Sequence, residues 1–203
     1  MFGRLALRCI PLLMLAALEH APPAFGEVIS KTEQGFVVRL VTTVKADALT
    51  SWEVLGRPAT WWSPAHTFSG DAANLAIDMV AGGCFCETLP APKEQPRASL
   101  RGSAEHMRVV YAERARLLRL VGALGPLQSE ALHATLSISL KPAEAGGTQI
   151  VWEYVVGGYM RYKADEIAPA VDGVLKEQLA SLAARIDDPN GVKSSRRARP
   201  PRH

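Results

Sequence analysis

The sequence is poor in cysteine, in long apolar runs and in net charge. It has three cysteines, Cys9, Cys84 and Cys86. No two of them stand in the Cys-x-x-Cys spacing that usually marks a zinc or redox pair. The apolar run "CIPLLMLAAL" (9–18) is half the length that a membrane-spanning helix needs, about 20 residues. Neither Gly82-Gly83 nor Gly157-Gly158 opens a Gly-x-x-x-x-Gly-Lys phosphate loop. There is no internal repeat. The formal net charge is only +3, and it is unevenly placed. Residues 1–26 carry Arg4, Arg8 and Glu19, and residues 189–203 carry Lys193, Arg196, Arg197, Arg199 and Arg202. The ends are therefore net +1 and +5, which leaves −3 for the chain between them. A nucleic-acid-binding domain carries its positive charge on the folded surface, so no nucleic-acid partner is expected.

What is present is an ordinary globular composition, 48% hydrophobic and 21% charged in 203 residues, enough for one well-cored domain. The N-terminus reads as an export signal. Arg4 and Arg8 precede the apolar run, and "EHAPPAFG" (19–26) ends in small residues. The chain divides into a signal peptide over 1–26, a folded domain over 27–188 and a disordered basic tail over 189–203. The expected location is the periplasm or the outside of the cell, with no stable membrane span after cleavage. An uncleaved anchor is the alternative.

Along the mature chain, "GFVVRLVTTVKA" (35–46) is rich in β-branched residues and reads as a strand. Asp47 can cap "ALTSWEVL", and Gly56 can end it. "RPATWWS" restarts a turn or helix. From Leu75 the period becomes two, through "LAIDMV", "CFCETL", "SAEHMRVVYAE" and "RLLRLVGAL". The alternation is cleanest in "ALHATLSISLK" and "TQIVWEYVVGG". In the first, Leu132, Ala134, Leu136, Ile138 and Leu140 share a face. In the second, Ile150, Trp152, Tyr154 and Val156 do. "EIAPAVDGVLKEQLASLAARID" (166–187) then switches to helical spacing, with Asp165 as its expected cap and Pro169 in its first turn.

Alternating strands predict an antiparallel sheet with one wet face. The C-terminal helix is the large apolar surface left to cover the other. The expected class is α+β: a curved antiparallel sheet of about seven strands around a long C-terminal helix, with two short helices after the first strand. Incomplete closure between sheet and helix would leave a pocket suited to an apolar ligand. This element order resembles the START-like (SRPBCC) superfamily, the helix-grip fold, over about Gly35 to Asp187. Local matches are Trp61-Trp62, "HTFSG" (66–70), "GGCFCE" (82–87), "HMRVVY" (106–111), "GALGPLQ" (122–128) and "VDGVLKEQL" (171–179). The resemblance implies a cavity for a hydrophobic or aromatic small molecule. It supplies no catalytic set shared by all members.

Cys84 and Cys86 point to one face of a regular strand, about 6.5–7 Å apart. That is wide for a disulfide, whose Cα atoms usually lie within about 4.4–6.8 Å. A bridge would need a distorted strand, and a zinc site with His106 would lack a fourth ligand. The expected role is two small apolar residues, packed under the sheet or lining the cavity. Glu87 faces the other way and is expected as a solvated carboxylate. His106 alternates with Met107 and is expected opposite the apolar set. If Glu87 and His106 meet across the hairpin, they form the one acid–base pair in the chain, with Arg108 nearby. Trp61, Trp62, Cys84, Cys86, Met107, Tyr111, Trp152 and Tyr154 are the candidate ligand-binding residues, and Glu87 and His106 the catalytic candidates. No metal or cofactor is implied. Binding or carriage of a hydrophobic small molecule is the preferred reading. A cyclase- or hydrolase-type enzyme in the same cavity is the alternative, as is a module like the chaperone-ATPase activators if the chain is not exported.

Overall fold

The computed structural model describes residues 25–188. The expected basic tail lies outside the described residues, and so does the expected signal peptide apart from Phe25 and Gly26. Eight strands form one curved antiparallel sheet: β1 (Phe25–Thr32), β2 (Gly35–Val44), β3 (Leu75–Ile77), β4 (Cys84–Leu89), β5 (Gly102–Glu113), β6 (Leu117–Gly122), β7 (Leu132–Pro142) and β8 (Thr148–Gly158). Their order across the sheet is β1-β2-β8-β7-β6-β5-β4-β3. Two α-helices accompany them, α1 (Ala48–Leu55) and α2 (Ala164–Asp187). This is the expected α+β helix-grip arrangement, with β1 as an added edge strand. Phe25 and Gly26, read from sequence as the end of the leader, pair with Val41 and Leu40.

The local chemistry explains the elements. The Asp47 side chain accepts a hydrogen bond from the Thr50 N–H at 2.7 Å and caps α1, which Gly56 ends. In place of a second short helix, the chain makes three 3-10 turns at Pro58–Thr60, Pro64–His66 and Ala72–Asn74. Inward residues of β7 and β8 pack as the alternation predicts, with Trp152 and Tyr154 fully buried. Helix α2 lies chiefly over β2 and β1. It begins earlier than expected: Lys163 precedes it without a side-chain cap, Asp165 sits in its first turn, and Pro169 lies inside it. Asp165 pairs with Lys31 of β1. Acidic residues Asp165 and Glu166 suit the positive end of the helix dipole.

Two β-bulges in β5 re-aim its side chains. Phe85 pairs with Met107 and Cys86 with Glu105, so His106 is the extra residue. Val109 pairs with Leu120 and Tyr111 with Arg119, so Val110 is a second extra residue. An inserted residue breaks the period of two and turns the residues beyond it to the other face. His106 therefore joins Met107 inside, and Tyr111 leaves the face of Val109. Gly122 closes the same region. Its φ is +138°, and a Cβ there would come within 3.0 Å of the His106 carbonyl oxygen.

Candidate functional site

Large rings fill most of the space between sheet and helix. Trp152 packs edge-on to Trp61, with centroids 6.1 Å apart, and Trp61 lies 5.5 Å from Trp62. Trp62 meets Phe85 at 5.3 Å. The indole N–H groups of Trp61 and Trp62 donate to the carbonyls of Val54 and His66, each at 3.0 Å. Tyr154 accepts from the Leu124 N–H at 3.1 Å, and burial pushes its hydroxyl up to about 12. The buried polar tips of Trp61, Trp62 and Tyr154 thus have partners, and the Trp152 N–H has none among the described residues.

A cavity of about 420 Å³ remains at one end. Its floor is the apolar flank of α2: Ile167, Val171, Val174 and Leu175. The loop after α1 supplies Trp62, His66 and Phe68, and the turn after β6 supplies Leu124 and Pro126. From the sheet, His106 reaches it. Phe68 is 53% exposed, so the cavity reaches the surface beside it.

The polar centre of this wall is a buried pair. Glu87 is 1% exposed and His106 5% exposed. His106 Nε2 lies 2.9 Å from Glu87 Oε2. Glu87 Oε2 also accepts from the Phe68 N–H at 3.0 Å, and Oε1 from the Ser69 N–H at 2.5 Å. Burial pushes the Glu87 carboxyl up, but hydrogen bonds from Ser69, Phe68 and His106 outweigh it and hold it below its ordinary 4.5. The Glu87 carboxylate accepts a hydrogen bond from the His106 Nε2–H, the tautomer that this contact assigns. The imidazole is stacked on Phe68, centroids 5.4 Å apart and planes 7° apart, and Phe85 lies 5.2 Å from it. Its Nδ1 has no hydrogen-bond partner among the described residues. Such a carboxylate–imidazole pair can accept a hydrogen bond from a bound molecule, or take its proton.

The sequence-derived candidates divide. Glu87 and His106 do meet across the β4–β5 hairpin, but neither lies on the expected wet face. Phe85 and Glu87 take the inner face of β4, because the large ring of Phe85 decides which side is buried. The cysteines point outward, are half-buried and do not line the cavity. They form a disulfide, against the expectation of two packed thiols. The reason is the distorted strand: beside the His106 bulge their Cα atoms come within 5.4 Å. The two sulfurs and the Glu105 carboxylate lie within 4.8 Å of one another, but disulfide sulfurs offer no thiolate to a metal. Arg108 pairs with Glu105 and donates to the Gly82 carbonyl, away from the buried pair. Trp62 lines the cavity; Trp61, Met107, Trp152 and Tyr154 are core residues behind it. Tyr111 is 44% exposed on the outer face, hydrogen-bonded to Glu113 with Arg119 over its ring. The sequence reading missed His66 and Phe68 as wall residues, although both lie in "HTFSG", and Leu124 and Pro126, which lie in "GALGPLQ".

A second carboxylate–imidazole pair borders the same cavity. His66 Nε2 lies 2.9 Å from Glu177 Oε2, in a half-exposed position.

No family model matches the sequence, and no curated protein does. Solved structures match by shape. A Staphylococcus aureus protein of unknown function, SA2116, aligns with 81% of this chain and 98% of its own, at 15% identity and a TM-score of 0.53. EF2215 from Enterococcus faecalis, also of unknown function, aligns over 82% and 78%, at 10% identity and a TM-score of 0.51. NE0264 from Nitrosomonas europaea aligns over 83% and 100%, at 12% identity and a TM-score of 0.50. At such identities the likeness speaks for the fold alone.

Proposed function

We propose that this protein binds or carries a hydrophobic or aromatic small molecule in the cavity beneath α2, as a START-like helix-grip protein. The observation that carries the reading is the cavity itself. Its volume of about 420 Å³ falls within the ordinary range for small-molecule sites, and its walls are aliphatic and aromatic around few polar groups. Aromatic walls at Trp62 and Phe68 favour a ligand with a ring.

We also propose that it acts outside the cytoplasm. The charged and apolar N-terminal pattern supports this, and so does the outward-facing Cys84–Cys86 disulfide, since cytosolic thiols are kept reduced.

Filling the cavity tests the binding reading. Val174→Trp places an indole into the open space from a half-buried position on the floor. Nile red, a neutral apolar dye, is expected to brighten with the native protein and to lose at least about tenfold in affinity with the variant. Unchanged dye binding by a folded Val174→Trp protein would place the bound molecule elsewhere and sink the reading.

A further inference from the structure

The buried pair gives the cavity a chemical direction. His106 is the sheet residue that lines it, and the imidazole is held by contacts with two rings, Phe68 and Phe85. One ring nitrogen is committed to Glu87; the other has no partner among the described residues. A ring nitrogen without a protein partner, on a residue that lines an apolar cavity, is open to a hydrogen bond from a ligand or water. Glu87 in turn accepts three hydrogen bonds, from Phe68, Ser69 and His106, and stays a carboxylate. A carboxylate behind an imidazole stabilises the imidazolium that forms when the free nitrogen takes a proton.

We propose that His106 Nδ1 is the proton-accepting point of the cavity, and that its ligand is an aromatic or enolic molecule carrying a weakly acidic hydroxyl at that end, bound as the anion. This deepens the binding reading and rests on it. The step balances simply. The ligand O–H bond breaks, an N–H bond forms at Nδ1, and the electron pair stays on the ligand oxygen. A neutral ligand beside carboxylate and imidazole becomes a phenolate or enolate beside imidazolium and carboxylate, with net charge unchanged. The charged or titratable groups around His106 are Glu87 from β4 and, across the cavity, His66 with Glu177 from α2. A second imidazole can also contact such an anion, so the test must separate the two.

Umbelliferone and coumarin are suitable probes, because they differ by one phenolic hydroxyl and the phenol and phenolate absorb at different wavelengths. Both are offered to the protein at a pH below the phenol's own ionisation, and displacement of Nile red reports occupancy. Bound umbelliferone is expected to show a phenolate-to-phenol ratio at least about tenfold above that of the free probe, as a neighbouring positive charge produces. His106→Phe keeps an aromatic ring in contact with Phe68 and Phe85. It is expected to retain coumarin and to lose the phenolate signal. His66→Phe is expected to keep that signal. The proposal is overturned if native protein binds umbelliferone with the free-probe ratio or excludes it while binding coumarin. It is also overturned if folded His106→Phe keeps the signal, or if His66→Phe abolishes it. If His106→Phe fails to fold, the native and His66→Phe measurements decide together. Failure to bind Nile red, coumarin or umbelliferone at all would instead count against the cavity reading beneath it.

Discussion

At the scale of residues, Glu87 is the hinge of the site. Its carboxylate joins three partners that are distant in sequence or element: two loop amides and one sheet histidine. Because its folded pKa lies below the ordinary 4.5, the folded state binds its proton less tightly than the unfolded state. The stabilisation is therefore complete above that ordinary value and is lost as pH falls through the folded one. Glu87→Gln keeps the shape but sets an amide N–H against donors. It is expected to cost about 2 kcal/mol at neutral pH, the scale of hydrogen bonds to a buried charge. The gap between native and variant should narrow as the solution is acidified below pH 4.5. Denaturant unfolding at a series of pH values checks this; a gap constant through the acid range would show that the charge of Glu87 is not what stabilises. Residue identity was legible here, and orientation was not. "HMRVVY" alternates perfectly on paper, and nothing in its letters announces that His106 and Val110 are inserted residues.

At the scale of elements, the most regular segments were the most legible. The alternation of β7 and β8 and the stripe of α2 read correctly, because each buries one face against a large core. The capped helix α1 was legible from Asp47 and Gly56. Strand β1 was hidden, because "FGEVISKT" mixes polar and apolar residues and adjoins a leader-like run. As an edge strand with a bulge at Ile29 it needs no clean alternation. The β4–β5 ladder was half legible: the hairpin was clear, the disulfide was not, because the bulge that brings the cysteines together is tertiary. That disulfide closes a very short loop, so loop-closure entropy assigns it only about 1.5 kcal/mol. The double variant Cys84→Ser, Cys86→Ser is expected to stay folded and to lose less than about 2 kcal/mol in denaturant unfolding. Collapse of the fold at room temperature would mean that the bridge, and not the surrounding ladder, holds β4 in place.

At the scale of the whole molecule, the antiparallel sheet and the helix that covers it were readable, but the position of the cavity was not. The expectation of incomplete closure between sheet and helix did not say where, and Trp152, Trp61 and Met107 fill much of that space. What stays open lies at one end, where two loops and the N-terminal half of α2 converge. Edge strand β1 ties the start of the described chain to that helix. A Cβ at Gly26 would strike Leu40, Lys176 and Asp172. Cleavage after Gly26 would remove the first two residues of β1. On the proposal that the protein is exported, N-terminal sequencing of the mature form is therefore expected to find a start no later than Phe25. A start beyond Gly26 in stable, folded protein would show that the strand's first pairs are dispensable.

The carboxylate that faces the imidazole is the same one that fastens the amides of Phe68 and Ser69. On the proposed chemistry, cargo that surrenders its proton turns a neutral contact into an ion pair at the base of the very loop that borders the exit. Loading the chamber and latching its door would then be a single electrostatic event, and unloading would begin with the return of that proton.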